Sequence, residues 1–427
     1  MSKEESLPAA REVAALQVAR AGRVRPGPDP SLPWQVVDEH GGVVGEVSDY
    51  LRHLTAGDFS PASAKSYAQA LLRWLRFLQA VGVAWDRASR VEVRDFVLWL
   101  RTAAKPARRR RSGGPVPGSV NRRTGKRYLG AGFAPATINH NLAVVSAFYD
   151  YQLDCGRGPL RNPIPARSSP TGGRPDAHHN PLEPFRPLRR AAYRQRVPRT
   201  EPRAIPDGLF DELFQAMGSD RDRALLALYV STGARPAELL GLQTGQVDYG
   251  EQLIAVTRKG TRVLQWLPAS PDAFVWLRLY QQRLPADLVQ ADQPVWWTLR
   301  RPWRPLTYEA LRAVLRRANH ELATNWTLHD LRHTCAVRMA SDPGVPLVDV
   351  QVVLGHAHLS TTQRYLKPRL EQVVAQVREH QQRRATPPVP PSDAGAGSLG
   401  YDDGDLRELF GRQSRPGARA DGPEAAR

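Results

Sequence analysis

The chain has 427 residues and a formal net charge of +18, from 60 Lys and Arg against 42 Asp and Glu. That length exceeds what one ordinary hydrophobic core organises, so two domains with tails are the natural partition, and the basic balance points to a polyanionic partner such as nucleic acid. No apolar run approaches the roughly 18 residues that cross a bilayer, the opening MSKEESLP does not resemble a secretion signal, and Cys155 and Cys335 alone support neither a disulfide framework nor a zinc site; we expect no membrane contact, no metal and no cofactor.

Residues 1–43 carry Pro26, Pro28, Pro30 and Pro33 and then Gly41-Gly42, and most of this extension is expected to be loop, with room for a short helix over Arg11 to Arg20. Residues 44–158 predict a helical domain. Its clearest helix begins at Ser60 as a cap, with Pro61 at the first helical position and Tyr67, Leu71, Leu75 and Leu78 on one stripe. VEVRDFVLWLRTA supplies a second helix, and Ile138, Leu142, Val145 and Tyr149 mark a third. Between these two lies an insertion, 104–133, rich in Gly, Pro and base and free of acid. Arg108, Arg109, Arg110, Arg111, Arg122, Arg123, Lys126 and Arg127 in such a loop are expected to lie along DNA phosphates.

Residues 159–203, dense in Pro, Gly and Arg, read as a linker. A second domain is expected over 204–385. It opens with two helices, the second closed by Gly233, and Pro236 starts another, which leaves Arg235 at the turn. QLIAVTR and RVLQWLP flank Lys259-Gly260-Thr261 as a hairpin with Lys259 near its tip. In LTYEALRAVLRRANHEL the apolar residues Leu311, Val314 or Leu315, Ala318 and Leu322 face inward, leaving Arg312, Arg316, Arg317 and Asn319 on a face that suits either a major groove or plain solvent. Thr327 then caps a helix from Leu328 to about Met339, with Asp330 in the capping-box position, so that His329 and Arg332 share a face. The segment 369–385 reads as a charged helix, and the tail 386–427 as disordered.

The order of parts around these residues is distinctive. Thr232-Gly233-Ala234-Arg235-Pro236-Ala237-Glu238-Leu239 resembles the first motif box of the tyrosine recombinases, the phage-integrase and Xer type, and His329-Asp330-Leu331-Arg332-His333, Leu354-Gly355-His356 and Ser360-Thr361-Thr362 running to Tyr365 resemble the second. Arg258-Lys259-Gly260 resembles the family's hairpin lysine motif, with Arg258 where a glycine is usual. The resemblance implies a mainly α fold with a small β-hairpin or sheet, in which a helical, SAM-like core-binding domain and a catalytic domain clamp double-stranded DNA.

It also implies roles. Tyr365 attacks the scissile phosphate to leave a 3′-phosphotyrosyl link, and Lys259 protonates the departing 5′ oxygen. Arg235 and Arg332 bracket the non-bridging oxygens, His329 assists proton transfer, His356 holds the phosphate, and Glu238 supports the site. Neither metal nor ATP enters, and the family assembles as homo-tetramers on paired sites, here in the cytoplasm at the nucleoid. A type IB topoisomerase shares the chemistry, and a non-catalytic DNA-binding protein shares the charge.

Changing Arg108 to Arg111 to alanine should weaken binding equally on specific and random DNA, because a flexible arginine run tracks phosphates without reading bases. Binding isotherms at several salt concentrations should show the log-log slope falling by about 0.9 per lost contact. An unchanged slope would leave assembly or solvation as the purpose of the run.

Overall fold

In this computed structural model, residues 11–105, 114–164, 166–168, 189–191, 193–198, 203–258, 260–356, 362, 374 and 377–382 are described. Contacts divide the chain into a unit of residues 1–366 and one of 367–427, and the described residues of the latter are helical. Among the described residues, the first unit has one large hydrophobic core in each half and a small third cluster near its end, and its architecture is helix-rich with small antiparallel sheets, as expected.

The first core is built by strands β1 (Arg23–Asp29) and β2 (Leu32–Val37) and helices α1 (Gly45–Ala56), α2 (Pro61–Ala80), α3 (Arg90–Thr102) and α4 (Pro135–Asp154). Helix α2 starts as its sequence predicts, with the Ser60 side chain accepting from the Ser63 amide and Pro61 following. Helix α3 is closed by a capping box in which Glu92 accepts from the Ser89 amide at 2.9 Å. Trp74, Phe77, Phe96, Phe148 and Tyr149 fill the centre, and burial of side chains of this size contributes about 1.5–3 kcal/mol each. The two polar edges inside are satisfied: Trp74 Nε1 donates to the Tyr149 hydroxyl at 3.0 Å, which donates to the Trp85 carbonyl at 2.7 Å.

Two stretches expected to lack structure have it. The proline-dense segment before Val37 forms the β1–β2 hairpin, turned at Asp29, whose carboxylate accepts from the amides of Ser31 and Leu32 at 2.8 and 3.1 Å. A two-stranded ribbon leaves half of its amides unpaired, so prolines cost it little, and Leu32 and Val36 are wholly buried against α2. Within the expected linker, β3 (Ala166–Ser168) pairs antiparallel with β4 (Arg189–Ala191).

The second core gathers α5 (Asp207–Gln215), α6 (Asp220–Thr232), α7 (Pro236–Leu240), a three-stranded antiparallel sheet of β5 (Val247–Asp248), β6 (Leu253–Thr257) and β7 (Leu264–Pro268), then α8 (Pro271–Gln281), α9 (Tyr308–Glu321), α10 (Leu328–Ser341) and α11 (Leu347–Leu354). Buried Trp296 stacks on Tyr280 and donates to the Leu239 carbonyl at 2.7 Å, which ties the end of α7 to the core. Ala336, Val350 and Leu354 seat α11 on α10. Helices α6 and α11 both end in left-handed glycines, Gly233 (φ 59°) and Gly355 (φ 60°), and these two turns converge on one place.

A methyl group on Gly233 would come within 2.7 Å of Leu354 Cδ2 and 3.0 Å of Cys335 Sγ, both in buried side chains. Gly233→Ala therefore combines a left-handed backbone penalty with overpacking, and urea unfolding should show a loss of about 2–4 kcal/mol. A loss below about 1 kcal/mol would mean that the turn relaxes freely.

Candidate active site

The site is organised by Arg332, which α10 carries inward until its side chain is 4% exposed. Its guanidinium donates to the carbonyls of Gly233 at 2.5 Å and Leu354 at 2.6 Å, and its Nη2 lies 3.1 Å from His356 Nε2. One side chain thus joins the ends of α6 and α11 to the loop beyond. The helix itself starts as the sequence predicts: the Asp330 carboxylate accepts from both the amide and the hydroxyl of Thr327 at 2.7 Å, and the Thr327 carbonyl accepts from the Asp330 amide at 2.9 Å.

Arg235 follows the left-handed turn at Gly233 and precedes Pro236. Its Nη1 donates to Glu238 Oε1 at 2.8 Å, and its Nη2 is 3.4 Å from the Gly355 carbonyl. Glu238 is buried and accepts a second arginine on its other oxygen, Arg258 Nη1 at 3.1 Å. Arg258 is itself 5% exposed, donates from Nε to Gln265 at 2.7 Å, and reaches the Val353 carbonyl. Burial pulls this guanidinium below its ordinary value while the Glu238 carboxylate opposes the shift. A methyl group on Gly355 would meet Arg258 Nε at 3.0 Å, so the Leu-Gly-His turn needs its glycine for space as well as for conformation.

In the sequence Arg258 stands out only as an arginine where the resembled motif has a glycine. In the structure it links the hairpin root, the Glu238 carboxylate and the end of α11. The only hint in the sequence was its place next to Lys259, since nothing local reveals that Glu238 lies across from it.

His356 accepts from Arg332 at Nε2, because a guanidinium has only donors; its Nδ1 therefore carries the proton and donates to the buried Thr362 hydroxyl at 2.9 Å. Burial, aided by Arg332, Arg235 and Arg258, pushes the imidazole down to about 4, so it is neutral at physiological pH.

A cavity of about 870 Å³ opens over this cluster, lined among others by Arg235, His329, Arg332, Arg312 and Arg316, with Glu309 paired to Arg312 at 3.4 Å. His329 is exposed, and its ring lies 4.0 Å from that of His333. The structure thus brings together Arg235, Glu238, His329, Arg332 and His356, with Arg312 and Arg316 on the wall of the same cavity. Asn319 lines the same cavity, and its carboxamide also bonds the Trp326 amide and carbonyl at 2.8 and 2.7 Å. Lys259, Tyr365 and Arg108 to Arg111 lie outside the described residues. Among the described residues no three His, Cys, Asp or Glu side chains group so as to hold a metal ion, and no helix is long and apolar enough to cross a membrane.

Among the described residues of the basic insertion, Ala104 pairs with Gly132 and Val120 with Arg127, so that its tip forms a folded finger. Arg122 and Arg127 are exposed, but Arg123 pairs with Glu212 and Lys126 with Asp330, across from the first half of the chain to the second. The physical reason is local. The α9–α10 connection offers the Leu322 and Ala323 carbonyls, which Arg123 and Asn121 take at 2.9 and 2.8 Å.

Residues 209–371 match the phage integrase family, and residues 47–112 match the phage integrase N-terminal SAM-like domain. Tyrosine recombinase XerC of Azotobacter vinelandii is 30% identical over 239 residues, which cover 55% of this chain and 70% of that protein. The chain belongs to the tyrosine recombinases of the phage integrase family. Tyrosine recombinase XerD of Lacticaseibacillus casei is 34% identical over 149 residues, 34% of this chain, and here the match spans only half of the relative's length. In fold, the chain is similar to the Tn1549 transposon integrase solved with circular intermediate DNA, with a TM-score of 0.51 at 15% identity, covering 78% of this chain and 97% of that one.

The His356 resonance should titrate near 4 by NMR, well below the ordinary 6.5 of an imidazole. The unfolded chain then takes up this proton first, so the folded state loses stability as pH falls from about 6.5 towards 4 and is unaffected by this group above that window. Urea midpoints of wild type and His356→Gln should therefore diverge most above pH 6.5 and converge towards pH 4. A titration midpoint near 6.5 would overturn the neutral, Arg332-facing imidazole.

Proposed function

We propose that the protein is a site-specific DNA recombinase of the integrase or transposase type, which breaks and rejoins double-stranded DNA through a 3′-phosphotyrosyl intermediate without metal or ATP. The observation that carries this is the convergence of Arg235, His329 and Arg332 on one cavity, with His356 against Arg332. Phosphodiester cleavage concentrates negative charge on the phosphorane oxygens, and donors already held in place stabilise that charge without reorganising. Arg235 and Arg332 supply forked donors, and a neutral His356 adds no competing positive charge behind them.

In this scheme the Tyr365 oxygen bonds to phosphorus as its hydroxyl proton passes to His329, the bond from phosphorus to the 5′ oxygen breaks, and Lys259 donates the proton that oxygen takes. A free 5′-hydroxyl of another strand reverses the steps and regenerates the tyrosine. His329, at the cavity wall, assists proton transfer. The reach of the chain agrees with these roles: Tyr365 follows Thr362, held by His356, by three residues, at most about 11 Å between Cα atoms. Lys259 directly follows the anchored Arg258.

The duplex lies in the basic cavity with its backbone along Arg312 and Arg316, while Arg122, Arg127 and Arg108 to Arg111 add phosphate contacts from the insertion. Strand exchange requires two duplexes in one assembly, so the working form is a homo-tetramer on paired sites, acting in the cytoplasm at the nucleoid. This reading is supported by the similarity to the XerC and XerD tyrosine recombinases and to an integrase solved with DNA.

Incubated with nicked suicide duplexes, wild type should form a covalent adduct on a denaturing gel, and Tyr365→Phe none, with DNA affinity unchanged because phosphate contacts supply most of it. Arg235→Ala should slow single-turnover cleavage by about two to three orders of magnitude. An adduct that persists in Tyr365→Phe would move the nucleophile elsewhere, and a loss under about tenfold would remove Arg235 from the transition state.

A further inference from the structure

We infer that the tip of the insertion, residues 119–128, is an interdomain strut, and that Lys126 is a positioning residue for the helix that carries His329 and Arg332. The tip is preorganised. Its ladder closes through Asn121 N to the Lys126 carbonyl at 2.9 Å and Tyr128 N to the Ser119 carbonyl at 2.8 Å, and the Asn121 side-chain oxygen accepts from the amides of Arg123 and Thr124, each at 2.9 Å.

The preformed turn seats on the α9–α10 connection by contacts of several kinds. Asn121, only 6% exposed, donates to the Ala323 carbonyl, and Arg123 to that of Leu322, both left over at the end of α9. Thr124 donates to Asn325 Oδ1 at 2.6 Å, and Asn325 Nδ2 donates back to the Lys126 carbonyl at 3.0 Å. Arg203, where the second half begins, holds the Gly125 carbonyl at 2.7 Å. Lys126 then reaches Asp330, the carboxylate that closes the first turn of α10 on Thr327.

Charge argues for the same assignment. An ammonium near a helix N-terminus opposes the helix dipole and stays only where a carboxylate holds it. Asp330 is nearly buried, its side chain 10% exposed, so screening by water is weak and the pair counts for more than a surface ion pair. His329 and Arg332 stand next to and two residues beyond Asp330, so a shift of this first turn moves both. Displacing reacting groups by about 1 Å costs roughly a hundredfold in rate.

The catalytic half of the test rests on the recombinase reading; the structural half does not. Without DNA, urea midpoints of Lys126→Met, Asp330→Asn and the double variant should be non-additive, the double losing less than the two singles together. With saturating nicked duplex, Lys126→Met should cleave about ten- to a hundredfold more slowly, with unchanged affinity and salt slope, and Lys126→Arg should recover most of the rate. Additive midpoints would overturn the strut. Unchanged cleavage at saturating DNA would overturn the positioning role, and a salt slope lowered by about 0.9 would make Lys126 a phosphate contact instead. Absence of any adduct with wild type would sink the recombinase reading and leave the strut to be judged by the midpoints alone.

Discussion

Arg332 brings a full charge into a nearly dry place, which is costly unless its donors are satisfied. Two backbone carbonyls, one at the end of each of two helices, and one imidazole nitrogen offset that cost. The left-handed glycines, the neutral His356 and the seat of α11 on α10 all serve this arrangement. A lysine has the charge but no fork, and it could not hold two carbonyls at fixed separation while facing a histidine. The same geometry that stabilises the fold therefore orients the donors over the cavity.

A second buried knot sits behind the first. Glu238 divides its oxygens between Arg235, which reaches towards the cavity, and Arg258, which reaches away from it to the Val353 carbonyl. The carboxylate fixes one arginine against the other, so the half-buried Arg235 is held by a residue at the hairpin root. The β6–β7 hairpin positions Arg258, whose amide donates to the Val263 carbonyl at 2.9 Å.

Much of this was legible in the sequence because the signals were local. Ser60-Pro61, Gly233 before Arg235-Pro236, and Thr327 with Asp330 announce helix ends through groups a few residues apart, and the stripes of α2 and α4 announce faces. The motif boxes identified the family from residues whose spacing the chain itself preserves. What escaped was non-local. Nothing near Arg258 says that Glu238 lies opposite, and nothing near Asn319 says that its carboxamide is already used by Trp326. The breakers of the proline-dense segment before Val37 point to a loop, because the burial of Leu32 and Val36 depends on the distant α2. Charge marks out Arg123 and Lys126, and charge alone does not reveal whether the partner is phosphate or a carboxylate 89 or 204 residues away.

The finger and its seat have a consequence for how this protein can vary. Asn121, Arg123 and Lys126 belong to the first half of the chain, and the groups they meet, from Leu322 to Asp330, belong to the second. A chimaera joined in the segment between the halves would separate a turn from the surface shaped to receive it, leaving Asp330 without its ammonium on one side and an unseated Asn121 on the other. The inheritable module is therefore not either half alone but the finger together with the α9–α10 connection, two short stretches that must change in step.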